Sequence, residues 1–97
     1  MVISSLIPRV ALVTGGARRL GRAIALALAH QGFDIAIHYG GSAEAAEETR
    51  RDIEALGRRA VTLQADLADE AAVGRLLPQA VERLGPVGVL VNNASLF

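Results

Sequence analysis

The sequence predicts an α/β fold, a doubly wound parallel sheet with helices on both faces. Three observations carry this. Four short apolar runs alternate with three stretches of helical periodicity. The runs are apolar on successive residues, as strands are when both faces of their sheet are covered. The first run breaks at Thr14-Gly15-Gly16, and a helical pattern begins at once.

Val10 to Val13 reads as the first strand, rich in branched residues. From Leu20 the apolar positions are Leu20, Ala23, Ile24, Ala27 and Leu28, the one-sided spacing of an amphipathic helix that Gly32 ends. Ile35 to Ile37 forms the second strand, closed by Gly40-Gly41. Ser42 is placed to cap a second helix whose inner face is Ala46, Thr49, Ile53 and Leu56, with Gly57 as its stop. Ala60 to Ala65 is the third strand. Asp69 caps a third helix with a stripe of Val73, Leu76, Leu77, Ala80, Val81 and Leu84, broken by Gly85-Pro86. Val87 to Val91 is the fourth strand, followed by Asn92-Asn93-Ala94-Ser95.

Bulk properties narrow the function. The 97 residues suffice for one domain with a modest core, and 52% apolar content argues against disorder. A net charge of zero removes bulk attraction to nucleic acid or to an anionic membrane. The chain has no cysteine, so it has neither disulfides nor a thiolate metal site. Met1 to Pro8 lacks the basic start of a signal peptide, and no apolar run is long enough to span a bilayer. A cytoplasmic location is the expectation. All ten basic residues are arginine, and Tyr39 is the one tyrosine.

The first turn, Thr14 to Gly21, carries two glycines at its start and two arginines, Arg18 and Arg19, at the opening of a helix. Glycine permits a tight turn and close approach of a ligand. A helix start offers unpaired N–H groups and partial positive charge. Together these suit a phosphate. An ordinary strand-to-helix turn with solvent-facing arginines is the alternative. A kinase-type phosphate loop is disfavoured, because no Gly-Lys-Ser/Thr follows.

Thr14-Gly15-x-x-x-x-x-Gly21 after strand one, with Asn92-Asn93-Ala94 after strand four, resembles the short-chain dehydrogenase/reductase family over almost the whole chain. The resemblance implies a Rossmann-type fold with strand order 3-2-1-4 and an enzyme using NAD or NADP. The family's usual turn is Thr-Gly-x-x-x-Gly-x-Gly, and Arg19 stands at its middle glycine. Within the family the chain is similar to the pteridine reductases. The residues behind this are Arg19-Leu20-Gly21, His38-Tyr39 with Ser42-Ala43, Gln64-Ala65-Asp66-Leu67, and Asn92-Asn93-Ala94-Ser95-x-Phe97. Ser95 stands where most relatives have Gly, and Gly88 where they often have Asp.

An NAD site of this kind places an acid at the end of strand two to hold the ribose 2′-hydroxyl. That end reads His38-Tyr39-Gly40-Gly41-Ser42, and Asp34 lies at the wrong end of the strand. A 2′-phosphate would be welcomed by arginine, so NADPH/NADP is the expected cofactor. Arg19 is the first candidate to hold that phosphate and Arg18 the second, with Ser42 as a hydrogen-bond donor. His38 is a contributor or simply a packed residue. The resemblance sets Asp66 and Leu67 beside adenine, or leaves Asp66 a capping or turn residue. It sets Asn93 and Ala94 along ribose and pyrophosphate, or leaves the Asn pair a plain turn. Ser95 would approach the cofactor phosphates or the substrate. Phe97 would stack on a pterin ring, or serve as apolar cover.

The family's proton donor, Tyr-x-x-x-Lys, is absent, because the chain has no lysine. No catalytic residue is therefore assigned. In the implied strand order, strand four would be an edge that is apolar on both sides. Residues 1–97 are thus read as the N-terminal part of a single NADP-binding domain, inactive by itself, whose catalytic C-terminal part is absent from this chain. The expected whole is an NADPH-dependent reductase of pterin-like small molecules, commonly a tetramer in this family, with no nucleic-acid or membrane partner. A reductase of 3-oxoacyl or other carbonyl substrates is the alternative, and a non-catalytic NADP-binding module is another.

Overall fold

The computed structural model describes residues 6–94. In chain order the elements are β1 (Val10–Thr14), α1 (Arg19–His30), β2 (Asp34–Tyr39), α2 (Ala43–Ala55), β3 (Ala60–Gln64), α3 (Glu70–Leu84) and β4 (Val89–Asn92). All strand pairs are parallel, in the order β3-β2-β1-β4. The register sets Val13 beside Ile37 on one side and beside Val91 on the other.

Alternation along the strands builds two cores. Ala11, Val13, Ile35 and Ile37 face α1 and α2, where Ala25, Leu28, Ala46 and Ile53 meet them with Phe33. Val10, Leu12, Ala36 and Leu63 face α3, through Leu76, Ala80 and Leu84. Phe33, Ile35, Ile37 and Ile53 are all 0% exposed, and burial of that kind stabilises by about 2 kcal/mol per side chain.

Several boundaries differ from the sequence expectation. The second strand runs to both sides of Ile35–Ile37, and the fourth starts at Val89, with Gly88 just before it donating its N–H to the Val10 carbonyl at 2.9 Å. Ser42 occupies the N-cap position of α2, but its side chain makes no cap bond. Asp69 does cap α3, accepting from the Ala72 N–H at 3.1 Å. Only one row of the α3 stripe is buried; Val73, Leu77 and Val81 stay 38–46% exposed, because the helix lies on the sheet along the Leu76-Ala80-Leu84 line. The missing Asp at Gly88 has a steric reason: a Cβ there would stand 2.1 Å from the Pro8 carbonyl oxygen.

The amino end of the sheet is closed by charge. Asp34, 5% exposed, accepts from the Arg59 N–H at 2.9 Å and from both the Arg58 and Arg59 guanidiniums. Arg59 also donates to the Leu84 carbonyl at the end of α3. Burial alone would raise the carboxyl pKa of Asp34. The Arg59 hydrogen bonds and the two arginine charges outweigh it and hold the carboxyl below its ordinary value. A depressed carboxylate contributes stability above its unfolded-state pKa of about 3.9 and loses it as pH falls through the folded value. Asp34→Ala is therefore expected to cost about 2 kcal/mol at pH 7. The gap to wild type should close in chemical melts below about pH 4; a constant gap across that range would exclude this account.

Candidate functional site

At the other end of the sheet, the carboxyl ends of the strands open into clefts. β1 leads to α1 on one face and β3 leads to α3 on the other, so the chain diverges between β1 and β4. Open α/β sheets bind ligands at such a switch point.

Gly15 begins the turn after β1 with φ +62°, a conformation that favours glycine. A Cβ there would press on Ala94 and Asn93 at 3.1 Å. Arg19 has φ +56°, the one non-glycine residue with positive φ among the described residues. It stands where the family's usual turn has its middle glycine. A left-handed arginine costs about 1 kcal/mol and persists where surroundings hold it, a pattern that clusters at ligand sites.

The helix start at this turn is bare. Arg18 occupies the N-cap of α1 with no side-chain cap bond, and the first turn holds no acid. By contrast α3 receives both Asp69 and Glu70. No hydrogen bond or ion pair engages the Arg18 or Arg19 guanidinium among the described residues, whereas Arg22, Arg50, Arg58 and Arg59 are all paired with carboxylates. Free amide donors and two unneutralised guanidiniums thus face the same space.

That space is a cleft of about 550 Å³ between the two loops. Gly15, Arg18, Arg19 and Leu20 line one wall; Tyr39, Gly40 and Ser42 the second; Asn93 and Ala94 the base. A second cleft of similar size shares Gly15, Gly40 and Ala94 with it and extends to His38, Asp66 and Leu67. Arg18 also borders a smaller groove beside Gly41, Ser42 and Glu44, which Arg19 does not. Arg18 thus borders residues of the β2–α2 loop in two spaces and Arg19 in one.

Hydrogen bonds fix the walls. The Thr14 hydroxyl donates toward the Val91 carbonyl at 3.2 Å and accepts from the Asn93 and Ala94 N–H groups at 3.0 and 3.2 Å. Asn93 Nδ2 donates to the Gly15 carbonyl at 3.2 Å. His38 is 2% exposed; its Nδ1 accepts from the Gly15 N–H at 3.0 Å, so its Nε2 carries the proton that reaches the Ala65 carbonyl at 2.9 Å. The Gly15 amide is thereby taken, and His38 stands as a packed strut between the two loops. Asp66 Oδ1 accepts from the Ala68 N–H at 2.9 Å, a turn-forming bond.

The structure brings together every sequence-derived candidate among the described residues except Gly21. Gly21 lines neither of these two clefts and sits behind the turn, where an added Cβ would stand 1.9 Å from the Gly15 carbonyl oxygen. Ser95 and Phe97 lie outside the described residues. Sequence reasoning passed over Gly40 and Gly41 as mere strand breakers. Both have ordinary φ, and a Cβ on either would meet nothing in the chain, so neither turn geometry nor packing requires them. It also read Thr49 only as part of a helix face, although a threonine at a fully buried helical position needs a polar partner.

The fold is shared with known proteins. A crystal structure of a short chain dehydrogenase from Burkholderia cenocepacia in complex with NADP superposes with a TM-score of 0.88 at 51% identity, over 93% of this chain and 36% of that one. FolM alternative dihydrofolate reductase 1 from Brucella canis, also complexed with NADP, gives 0.84 at 48% identity, over 91% and 35%. The 3-oxoacyl-[acyl-carrier-protein] reductase FabG of Staphylococcus aureus is 43% identical over 86 residues, 89% of this chain and 35% of the relative. The chain thus spans about a third of the length of these proteins. The family model for short chain dehydrogenase matches residues 9–97, and the chain belongs to that family.

Proposed function

We propose that the chain is the cofactor-binding part of an NADPH-dependent short-chain reductase acting on pterin-like substrates. The observation that carries the cofactor reading is the cleft itself. Two unpaired arginines and an uncapped helix start face a β2 end without an acid, across glycines that the fold does not need. Anionic oxygen is the chemistry such a donor set accepts. Arg18, Arg19 and Ser42 would hold a 2′-phosphate. The α1 N-terminus would take the pyrophosphate. Asp66, through the oxygen not used in its turn, would accept from the adenine amine, with Leu67 against the ring. Asn93 and Ala94 would line the ribose and pyrophosphate.

When bound, the cofactor supplies a hydride. The chain's own residues bind and orient it and give the 2′-phosphate its counter-charge. No Tyr-x-x-x-Lys pair occurs in these 97 residues, so proton donation is not assigned to any of them. The pterin reading is supported by the 48% identity with an alternative dihydrofolate reductase and by the Ser95-x-Phe97 pattern. The 43% identity with a 3-oxoacyl reductase favours a carbonyl substrate as the second reading. NADPH oxidation by the full-length protein with dihydropteridines, set against 3-oxoacyl thioesters, separates the two.

The cofactor site is tested most cleanly at Gly40. Gly40→Val is expected to leave the fold intact, because φ is ordinary there and a Cβ at this position has open space within 4 Å. Gly40 lines both clefts, so with a branched side chain there the dissociation constant for NADP⁺ is expected to rise at least about tenfold in the full-length protein, or 1.4 kcal/mol. An unchanged constant in a variant with native melting would show that the cofactor lies elsewhere.

A further inference from the structure

We propose that Thr49 is a positioning residue for the cofactor, bracing the β1–α1 turn from behind through its hydroxyl; this rests on the reading of that turn as the phosphate site. Thr49 lies on α2 and is 0% exposed, inside the core between α1, α2 and the sheet. Its Oγ1 stands 2.9 Å from the Ala17 carbonyl and 2.9 Å from Arg22 Nη1. The directions of these bonds are fixed by chemistry. A guanidinium only donates and a carbonyl only accepts, so the hydroxyl accepts from Arg22 and sends its single proton to Ala17. Arg22 is itself anchored on Asp52 at 2.5 Å. The chain Asp52–Arg22–Thr49–Ala17 therefore runs from the protein surface through a buried hydroxyl into the turn.

The turn needs such a brace. Its helix start has no side-chain cap, and the next residue, Arg19, is held in a left-handed conformation. Nothing on the ligand side of the described residues engages the Arg18 or Arg19 side chain. Thr49 fixes the Ala17–Arg18 peptide instead. All peptide bonds of the described residues are trans, so pulling the Ala17 carbonyl toward α2 turns the Arg18 N–H the opposite way. A cationic donor on the same hydroxyl strengthens that pull. Ala17 lines the cleft with Arg18 and Arg19, which makes the brace a direct setting of the cleft wall.

The test uses Thr49→Val, which keeps the shape and removes the hydroxyl, and Thr49→Ser, which restores the hydroxyl. In the full-length protein without ligand, the amides of Gly15, Gly16 and Arg22, which are hydrogen-bonded within and beside the turn, are expected to exchange with solvent at least about tenfold faster in Thr49→Val. The dissociation constant for NADP⁺ should rise about tenfold, and Thr49→Ser should return both to within about threefold of wild type. If Thr49→Val does not fold, Arg22→Leu removes the donor from the surface side and carries the same two expectations. A variant with a lower melting temperature but unchanged exchange and unchanged affinity would overturn the proposal, leaving Thr49 a purely structural residue. Wild-type protein that bound no NADP⁺ would sink the cofactor reading, while the ligand-free exchange measurement still decides the brace.

Discussion

Gly21→Ala is expected to disable the protein, although the same change inside most helices stabilises by about 1 kcal/mol. Gly21 lies in the first turn of α1, and its α-carbon faces the turn that precedes the helix. A methyl group would stand 1.9 Å from the Gly15 carbonyl oxygen and 2.7 Å from Asn93 Nδ2. The first obstacle is backbone and cannot rotate away. The turn must move, and with it goes the Asn93 bond to Gly15 that links the ends of β1 and β4. Overpacking against rigid backbone should cost about 3 kcal/mol. The affinity for NADP⁺ should fall by at least about a hundredfold, or 2.7 kcal/mol. Thermal melting and ligand titration of the full-length variant read both effects. A melting temperature equal to or above wild type would show that helix and turn are not in rigid contact.

The second large effect concerns charge. Charge-assisted hydrogen bonds are worth roughly 1.5–3 kcal/mol each. Replacing both Arg18 and Arg19 by alanine should therefore cut NADPH affinity by about a hundredfold or more and leave NADH nearly unaffected. Arg19→Gly separates conformation from charge. It relieves the left-handed arginine, which should raise stability by about 1 kcal/mol, while NADPH affinity falls. Opposite signs in the melting curve and the titration are the expected result. A change of the same sign in both would mean that Arg19 is held there for the fold alone.

The fold was legible because hydrophobic period and turn chemistry agree along the chain. Apolar runs on successive residues marked a sheet covered on both faces, and the strand order implied by the family resemblance is the one found. Boundaries were less legible where tertiary bonds decide them. Strand four was read from Val87, yet it begins at Val89, with Gly88 before it already bonded to the Val10 carbonyl. The α3 stripe was legible as one face, but periodicity shows which residues share a face and not how much of that face a neighbour covers. In the site, Gly21 and His38 were named from motifs but without their contacts to segments distant in sequence, and Thr49 was read only as part of a helix face. The bond from Thr49 to Ala17 spans 32 positions, and spacing within one helix carries no trace of it.

The hydroxyl of Thr14 bonds to residues 77 to 80 positions further along the chain. This has a kinetic consequence. Contacts of such separation form late, because a long loop must close before they give any return. β1, α1, β2 and α2 can assemble first through nearer contacts, yet the floor of the cleft would still be missing, since Asn93 and Ala94 come only with β4. A dinucleotide would then find no complete site on a partly folded chain. It would act on the last step alone, slowing unfolding without hastening the early stages of folding.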